Sequence, residues 1–444
     1  MGSTKRQKAI RKRNIFLCCC AVLLIAAVAA VIFAVSIISK SIKSSPSGAS
    51  SSASSQQAKK PDKNAVVATA TVVNTGDLLL HNPLLNGAKK ADGTYDFSAF
   101  FPNIKKYFTD ADYAVANLEV TLGGKESGEY KGYPNFNVPD NFIDECKNSG
   151  IDLFLTANNH CYDTGLYGLK RTVKVLKEKN AEFLGTKEQE SDHTYIVKDI
   201  NGIKIGMICY TYENKCDVAG RKSINGALIS TEANPLINSF SYQNLDGFYQ
   251  NAENAVASMK NDGAECIVFY MHWGDEYRLK QNDYQKNIAQ KLCNIGADVI
   301  VGGHPHVVQP IEMLTSSDSS RQTVCLYSMG NAISNQRLEE LSAECPGGQT
   351  EDGVLFYYTF TKYGDGRVKL TATDIIPTWV KKTGERYKAQ YTVYPLESEQ
   401  AIESLGLDSK TLDSAKKSYN RTKTTVSAGL SDCQQKLGCK KRFE

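Results

Sequence analysis

The chain has 444 residues, 41% of them hydrophobic, enough to bury a large core as one large domain or two smaller ones. Its formal net charge is +4, and Lys5, Arg6, Lys8, Arg11, Lys12 and Arg13 carry more than that excess. The rest of the chain is therefore slightly acidic, which excludes nucleic acid as an expected partner.

Residues 1–14 form a basic tip without an acidic side chain, and Ile15–Ile38 follows as an uncharged apolar run long enough to cross a bilayer as a helix. No small-residue cleavage site stands between that run and Lys40, so the reading is an uncleaved, single-pass transmembrane anchor with the basic tip in the cytoplasm. Residues 39–64 turn to Ser, Ala, Gln, Lys and Pro and are expected to be a flexible stalk. The folded part is then expected outside the cytoplasm, close to the membrane.

From residue 65 to 384, short runs of branched residues alternate with longer amphipathic ones. Strands are expected at 66–77, 112–119, 151–160, 203–210, 264–276, 297–306 and 323–331, and helices at 97–108, 140–150, 165–180, 251–263 and 283–296. This is an α/β pattern. A hairpin turned at residues 364–366 closes the sheet, and residues 385–444, polar with a weak helix at 398–405, read as a C-terminal appendage. Of the cysteines, Cys433 and Cys439 are the expected disulfide pair, and none of the 13 is spaced as a four-cysteine zinc site. The glycine-rich GGKESG at 123–128 lacks the Lys-Ser/Thr pair of a phosphate loop and reads as a surface loop.

Five of the six histidines, His81, His160, His272, His304 and His306, fall at or just beyond the ends of expected strands, as do Asp77, Glu119, Asn158, Asn159, Asp275 and Glu276. The carboxyl ends of strands in an open α/β sheet are where ligands bind, so separate strands can deliver these side chains to one crevice. His193 opens an ordinary strand and reads as structural. Imidazole mixed with carboxylate suits Mn, Fe or Zn, and one or two such ions can activate water for a displacement. Asp77 or Glu119 is the bridging carboxylate in that reading, with Asn159 a neutral oxygen ligand. His160 protonates or stabilises a leaving oxygen, and Glu276, four residues beyond His272, acts as a base or orients a ring. Cys161 has no matching base spacing and is set aside as a nucleophile.

The ordered motifs TGDLLLH (75–81), ANLE (116–119), LTANNHCYDTG (155–165), YMHWGDEY (270–277), VGGHPHV (301–307) and YSMGN (327–331) closely resemble the bacterial capsule-synthesis CapA family. That family is associated with poly-gamma-glutamate production and is related to the calcineurin-like metallophosphoesterases. The resemblance implies a four-layer α/β/β/α sandwich, placed after the N-terminal transmembrane helix, where the alternation alone also fits a single doubly wound sheet. It implies metal ligation by Asp77, Glu119 as the bridge, Asn159, His272, His304 and His306, with His160 catalytic. The D-x-H of the phosphoesterases is here Asp77-Leu78-Leu79, so the first histidine ligand is absent unless His81 reaches in. The function implied is a metal-dependent hydrolase-type site in capsule biosynthesis. Its expected partners are the membrane, other synthesis proteins and an anionic polymer or cell-wall substrate, and its expected place is the bacterial cell membrane. A non-catalytic polymer-binding scaffold and a surface phosphatase or nucleotidase are the alternatives.

Overall fold

The computed structural model describes residues 62–385 and 388–443. In β1 (Val66–Leu78) and β2 (Tyr113–Leu118), successive residues enter different cores. Val73, Ala114 and Ala116 join one hydrophobic cluster, while Val72, Tyr113 and Val115 join another. That period of two is the pleat of a strand buried on both faces.

The same split recurs in β6 (Ile203–Glu213), β10 (Cys266–His272) and β11 (Val299–Gly303). Met207, Val268 and Val299 share the cluster of Val72, whereas Ile208, Ile267 and Ile300 belong to a third. Two sheets therefore face one another across a common core. The first runs in the order β17 (Gln390–Pro395), β16 (Val368–Thr383), β15 (Asp352–Tyr363), β1, β2, β3 (Leu153–Leu155), β4 (Glu182–Leu184), with β14 (Asn331–Ile333) pairing β1. The second runs β12 (Ile311–Thr315), β13 (Gln322–Leu326), β11, β10, β6, β5 (Tyr195–Ile200), with β9 (Ser239–Ser241) pairing β6. A small hairpin of β7 (Ser223–Ile224) and β8 (Ala227–Leu228) stands apart. The hydroxyls of Tyr270 and Tyr358, one from each sheet, meet at 3.0 Å inside the shared core.

Helices cover both outer faces. Outside the first sheet lie α1 (Asn82–Ala88), α2 (Lys105–Thr109), α3 (Asn141–Asn148) and α4 (Gly165–Glu178), whose Leu84, Phe108, Phe142 and Leu176 share the cluster of Val73. Outside the second lie α5 (Leu245–Asn261) and α6 (Asp283–Ile295), packed through Phe248, Val256, Ile288 and Leu292. Asn282 starts α6 with a reciprocal capping box to Gln285, and Gly296 ends it. The order is helix, sheet, sheet, helix, the sandwich implied by the resemblance.

Residues beyond 384 add the edge strand β17, the short α7 (Glu399–Glu403) and the 29-residue α8 (Ser409–Leu437). α8 lays Val426, Leu430 and Cys433 into the core between the sheets. The expected disulfide is corrected: all ten described cysteines are free. Cys433 points inward from α8, while Cys439 lies past the Gly438 cap, its thiol against the carbonyl of Thr373.

The membrane reading is also corrected. The segment 15–38 lies outside the described residues, and among the described residues no helix is long and apolar enough to cross a membrane. The longest helix among the described residues, α8, carries Lys410, Asp413, Lys416, Arg421 and Lys436 along its length and packs on protein. The single-pass anchor, and the location at the cell membrane expected from it, have no described element behind them.

Candidate metal centre

Parallel pairing aligns the carboxyl ends of β1, β2 and β3 in one sheet and of β10 and β11 in the other. Asp77 sits at the end of β1, Asn117 and Glu119 at the end of β2, and Asn158, Asn159 and His160 on the loop after β3. His272 closes β10, and His304 and His306 follow β11. All nine side chains are buried.

The close approach explains the glycine pair before the histidines. A Cβ on Gly302 would stand 1.9 Å from the carbonyl oxygen of Tyr327, and one on Gly303 would stand 3.0 Å from Oδ1 of Asp77. The left-handed backbone falls on the histidines and not on these glycines: His304 has φ 97° and His306 φ 57°. Left-handed backbone at two bulky residues is costly and persists where the surroundings impose it, most often at functional sites.

Asn117 organises the carboxylates. Its amide donates to Oδ1 of Asp77 at 2.7 Å and to Oε2 of Glu119 at 3.0 Å, using both of its protons. Asn158 in turn donates to Oδ1 of Asn117 at 3.1 Å and to the Leu118 carbonyl at 2.8 Å. Nε2 of His272 lies 2.8 Å from Oδ1 of Asn159 and 3.5 Å from Oε1 of Glu119. Nδ1 of His306 lies 3.2 Å from Asp77 and 3.2 Å from Oδ1 of Asn331, and Nε2 lies 3.8 Å from Glu119.

Two groups of donors result, Asp77 with Glu119 and His272, and Glu119 with His304 and His306, the atoms of each within 4.8 Å of one another. Glu119 belongs to both. Its Oε1 and Nδ1 of His304 are buried without a hydrogen-bond partner. Burial and the neighbouring Asp77 push the Glu119 carboxyl well above its usual range, and burial with the adjacent histidines holds His272 and His304 well below theirs. For His306 burial opposes charge, but Asp77 and Glu276 outweigh it and the net shift is upward. Crowded carboxylates facing imidazoles kept neutral, with a bare oxygen and a bare nitrogen among them, are what a divalent cation satisfies. The residues fit a divalent metal.

His160 lies beside the donors, its Nδ1 2.8 Å from Oδ2 of Asp163, which also accepts the Phe136 N–H at 2.6 Å. Glu276 stands at the rim, 43% exposed, with Oε1 3.9 Å from Nε2 of His306. Asp275 binds Asn282 and joins neither donor group. His81 is in neither group; its Nδ1 accepts the N–H of Asn335 at 3.2 Å. His193 packs on Tyr195, away from the centre. Sequence reasoning missed Asn117, Asp163 and Asn331. Each lay inside a quoted motif, but only the fold turns Asn117 toward Asp77 and Glu119, Asn331 toward His306 and Asp163 toward His160. These parts are consistent with a metal-dependent hydrolase.

The profile described as "Bacterial capsule synthesis protein PGA_cap" matches residues 71–336. The chain is 27% identical over 296 residues to the PGA biosynthesis protein CapA of Bacillus subtilis (strain 168), covering 65% of this chain and 69% of the relative. It is 29% identical over 281 residues to the capsule biosynthesis protein CapA of Bacillus anthracis, covering 62% of each, less than two thirds of that relative. Among solved structures, the calcineurin-like phosphoesterase YfkN from Bacillus subtilis is similar over 81% of this chain and 99% of its own, with 14% identity and a TM-score of 0.36. TT1561 of Thermus thermophilus is similar over 65% and 93%, with 8% identity and a TM-score of 0.31. The profile match takes in every donor from Asp77 to His306 together with Asn331, and the chain belongs to the bacterial capsule synthesis protein PGA_cap family.

Proposed function

We propose that the protein is a metal-dependent hydrolase of capsule or poly-gamma-glutamate biosynthesis that works with one or two ions of Mn, Fe or Zn on an anionic polymer or its cell-wall acceptor. The observation that carries this reading is Glu119, shared by two buried donor groups, with Oε1 unpartnered beside the unpartnered Nδ1 of His304. Asp77, Glu119, Asn159, His272, His304 and His306 would hold the metal, which supplies Lewis-acid polarisation of a substrate oxygen and acidifies water.

The chain's own groups handle the proton. Asp163 is an acceptor, so His160 donates its Nδ1–H to it and the ring is fixed with Nε2 as the remaining proton site. The Phe136 N–H on the same carboxylate oxygen and the Phe136 ring, edge-on to His160 at 4.7 Å, prevent the pair from turning. When the ring carries a second proton, on Nε2, it can give that proton to a leaving oxygen and return to the neutral Nδ1–H form held by Asp163, a step worth about 10²–10⁴-fold in rate. Glu276, exposed at the rim, is the group with room to exchange protons with solvent.

The test is polymer production in cells carrying Asn159→Ala or His160→Ala, with protein levels matched to wild type. Loss of product is expected. Undiminished production would favour a non-catalytic polymer-binding subunit.

A further inference from the structure

We propose that His81 is a substrate-binding residue that donates its Nε2–H to an anionic oxygen, phosphoryl or carboxylate, brought to the metal centre. This rests on the hydrolase reading above. Nδ1 of His81 accepts the backbone N–H of Asn335 at 3.2 Å, and an imidazole nitrogen that accepts carries no proton. The proton of the neutral ring therefore sits on Nε2, which can only donate.

Three observations place that donor at the site without making it a ligand. His81 belongs to neither group of metal donors. Its ring meets the Phe136 ring edge-on at 5.3 Å, and Phe136 meets His160 in the same way at 4.7 Å, so one phenyl ring spaces the two histidines. The segment that fastens His81 through Asn335 also fastens His306 through Asn331. His160, His272, His304 and His306 are buried, whereas His81 keeps part of its surface exposed. Burial and then His306 oppose charge on the ring and outweigh the Leu79 backbone, which favours it; the pKa falls to about 3 and the ring stays neutral at physiological pH. The phosphoesterase-like first motif lacks its histidine ligand here; His81, four residues beyond Asp77, takes a different task.

Two substitutions separate the roles. In His81→Asn, Oδ1 replaces Nδ1 as acceptor for Asn335 and the Nε2–H is lost; in His81→Gln, the amide reaches the Nε2 position and restores a donor. Full-chain protein loaded with Mn is titrated with inorganic phosphate and, separately, with acetate. Metal content equal to wild type in both variants is expected. For at least one of the two anions, the dissociation constant should rise about tenfold or more in His81→Asn and recover to within about threefold in His81→Gln. The anion that responds identifies the oxygen chemistry. Unchanged affinity for both anions in His81→Asn, loss of metal in that variant, wild-type protein that binds neither anion, or failure of Gln to recover binding overturns the assignment. Wild-type anion binding that is the same after chelation contradicts the hydrolase reading alone, because the comparison of variants still stands.

Discussion

At the scale of single residues, the centre is built from close approach. Gly302→Ala forces a methyl group onto the Tyr327 carbonyl, and destabilisation of about 3 kcal/mol is expected in urea unfolding. Asn117 matters in a different way, because it touches both carboxylates without being a ligand type itself. Asn117→Leu is expected to keep the fold and to weaken metal binding about 10- to 100-fold, measured by competition with a chromophoric chelator. Asp77, Glu119, His272, His304 and His306 were legible in the sequence because acidic residues and histidines gathered at strand ends rarely serve packing alone. Asn117, Asp163 and Asn331 were not, since an amide within a strand or an aspartate in a loop carries no spacing that marks it.

At the scale of elements, strand ends were read less well than strand centres. The run 151–160 contains only three residues of strand, Leu153–Leu155, because Thr156–His160 leaves the sheet to bring Asn159 and His160 to the metal centre. α8 went unread for a physical reason. Its buried stripe of Ala415, Ser418, Tyr419, Thr422, Val426, Leu430, Cys433 and Gln434 keeps helical spacing but interleaves polar Ser418, Thr422 and Gln434, so it lacks apolar contrast. One ion pair ties α8 to the sheet: Arg421 makes two hydrogen bonds to Asp352, at 2.7 and 2.6 Å. Replacing Arg421 with Met strands a buried carboxylate and should cost roughly 3 kcal/mol or more.

Asp352 also gives that pair a pH signature. Burial outweighs Arg421 and raises its carboxyl from 3.8 to about 6. A raised folded pKa means that protonation favours the fold, so this contribution is fully present below about pH 4 and is lost as pH rises through about 6. Stability of wild type minus that of Asp352→Asn should therefore fall between pH 4 and 7, by about 3 kcal/mol at most. A flat difference in paired denaturation curves would contradict the shift.

At the scale of the whole molecule, the metal donors come from both sheets, so the centre exists only while the sandwich is closed. Alternation of strands and helices did not distinguish two facing sheets from one doubly wound sheet, because each element reads alike in both; the family motifs made that choice. The coupling of site to fold predicts that metal stabilises the whole described body. At a hundredfold excess over its Kd the gain is about 2.7 kcal/mol, seen as a higher Tm that falls again on chelation. The same Tm with and without metal would mean that the two sheets do not share it.

Whether these converging strand ends hold a divalent cation is read from metal content by elemental mass spectrometry. Full-chain wild type and a His304→Ala, His306→Ala double variant would be loaded side by side with Mn, Fe or Zn and desalted. Wild type is expected to retain one or two ions per chain and the double variant to lose most of that metal. Full metal retention by a folded double variant would contradict this expectation.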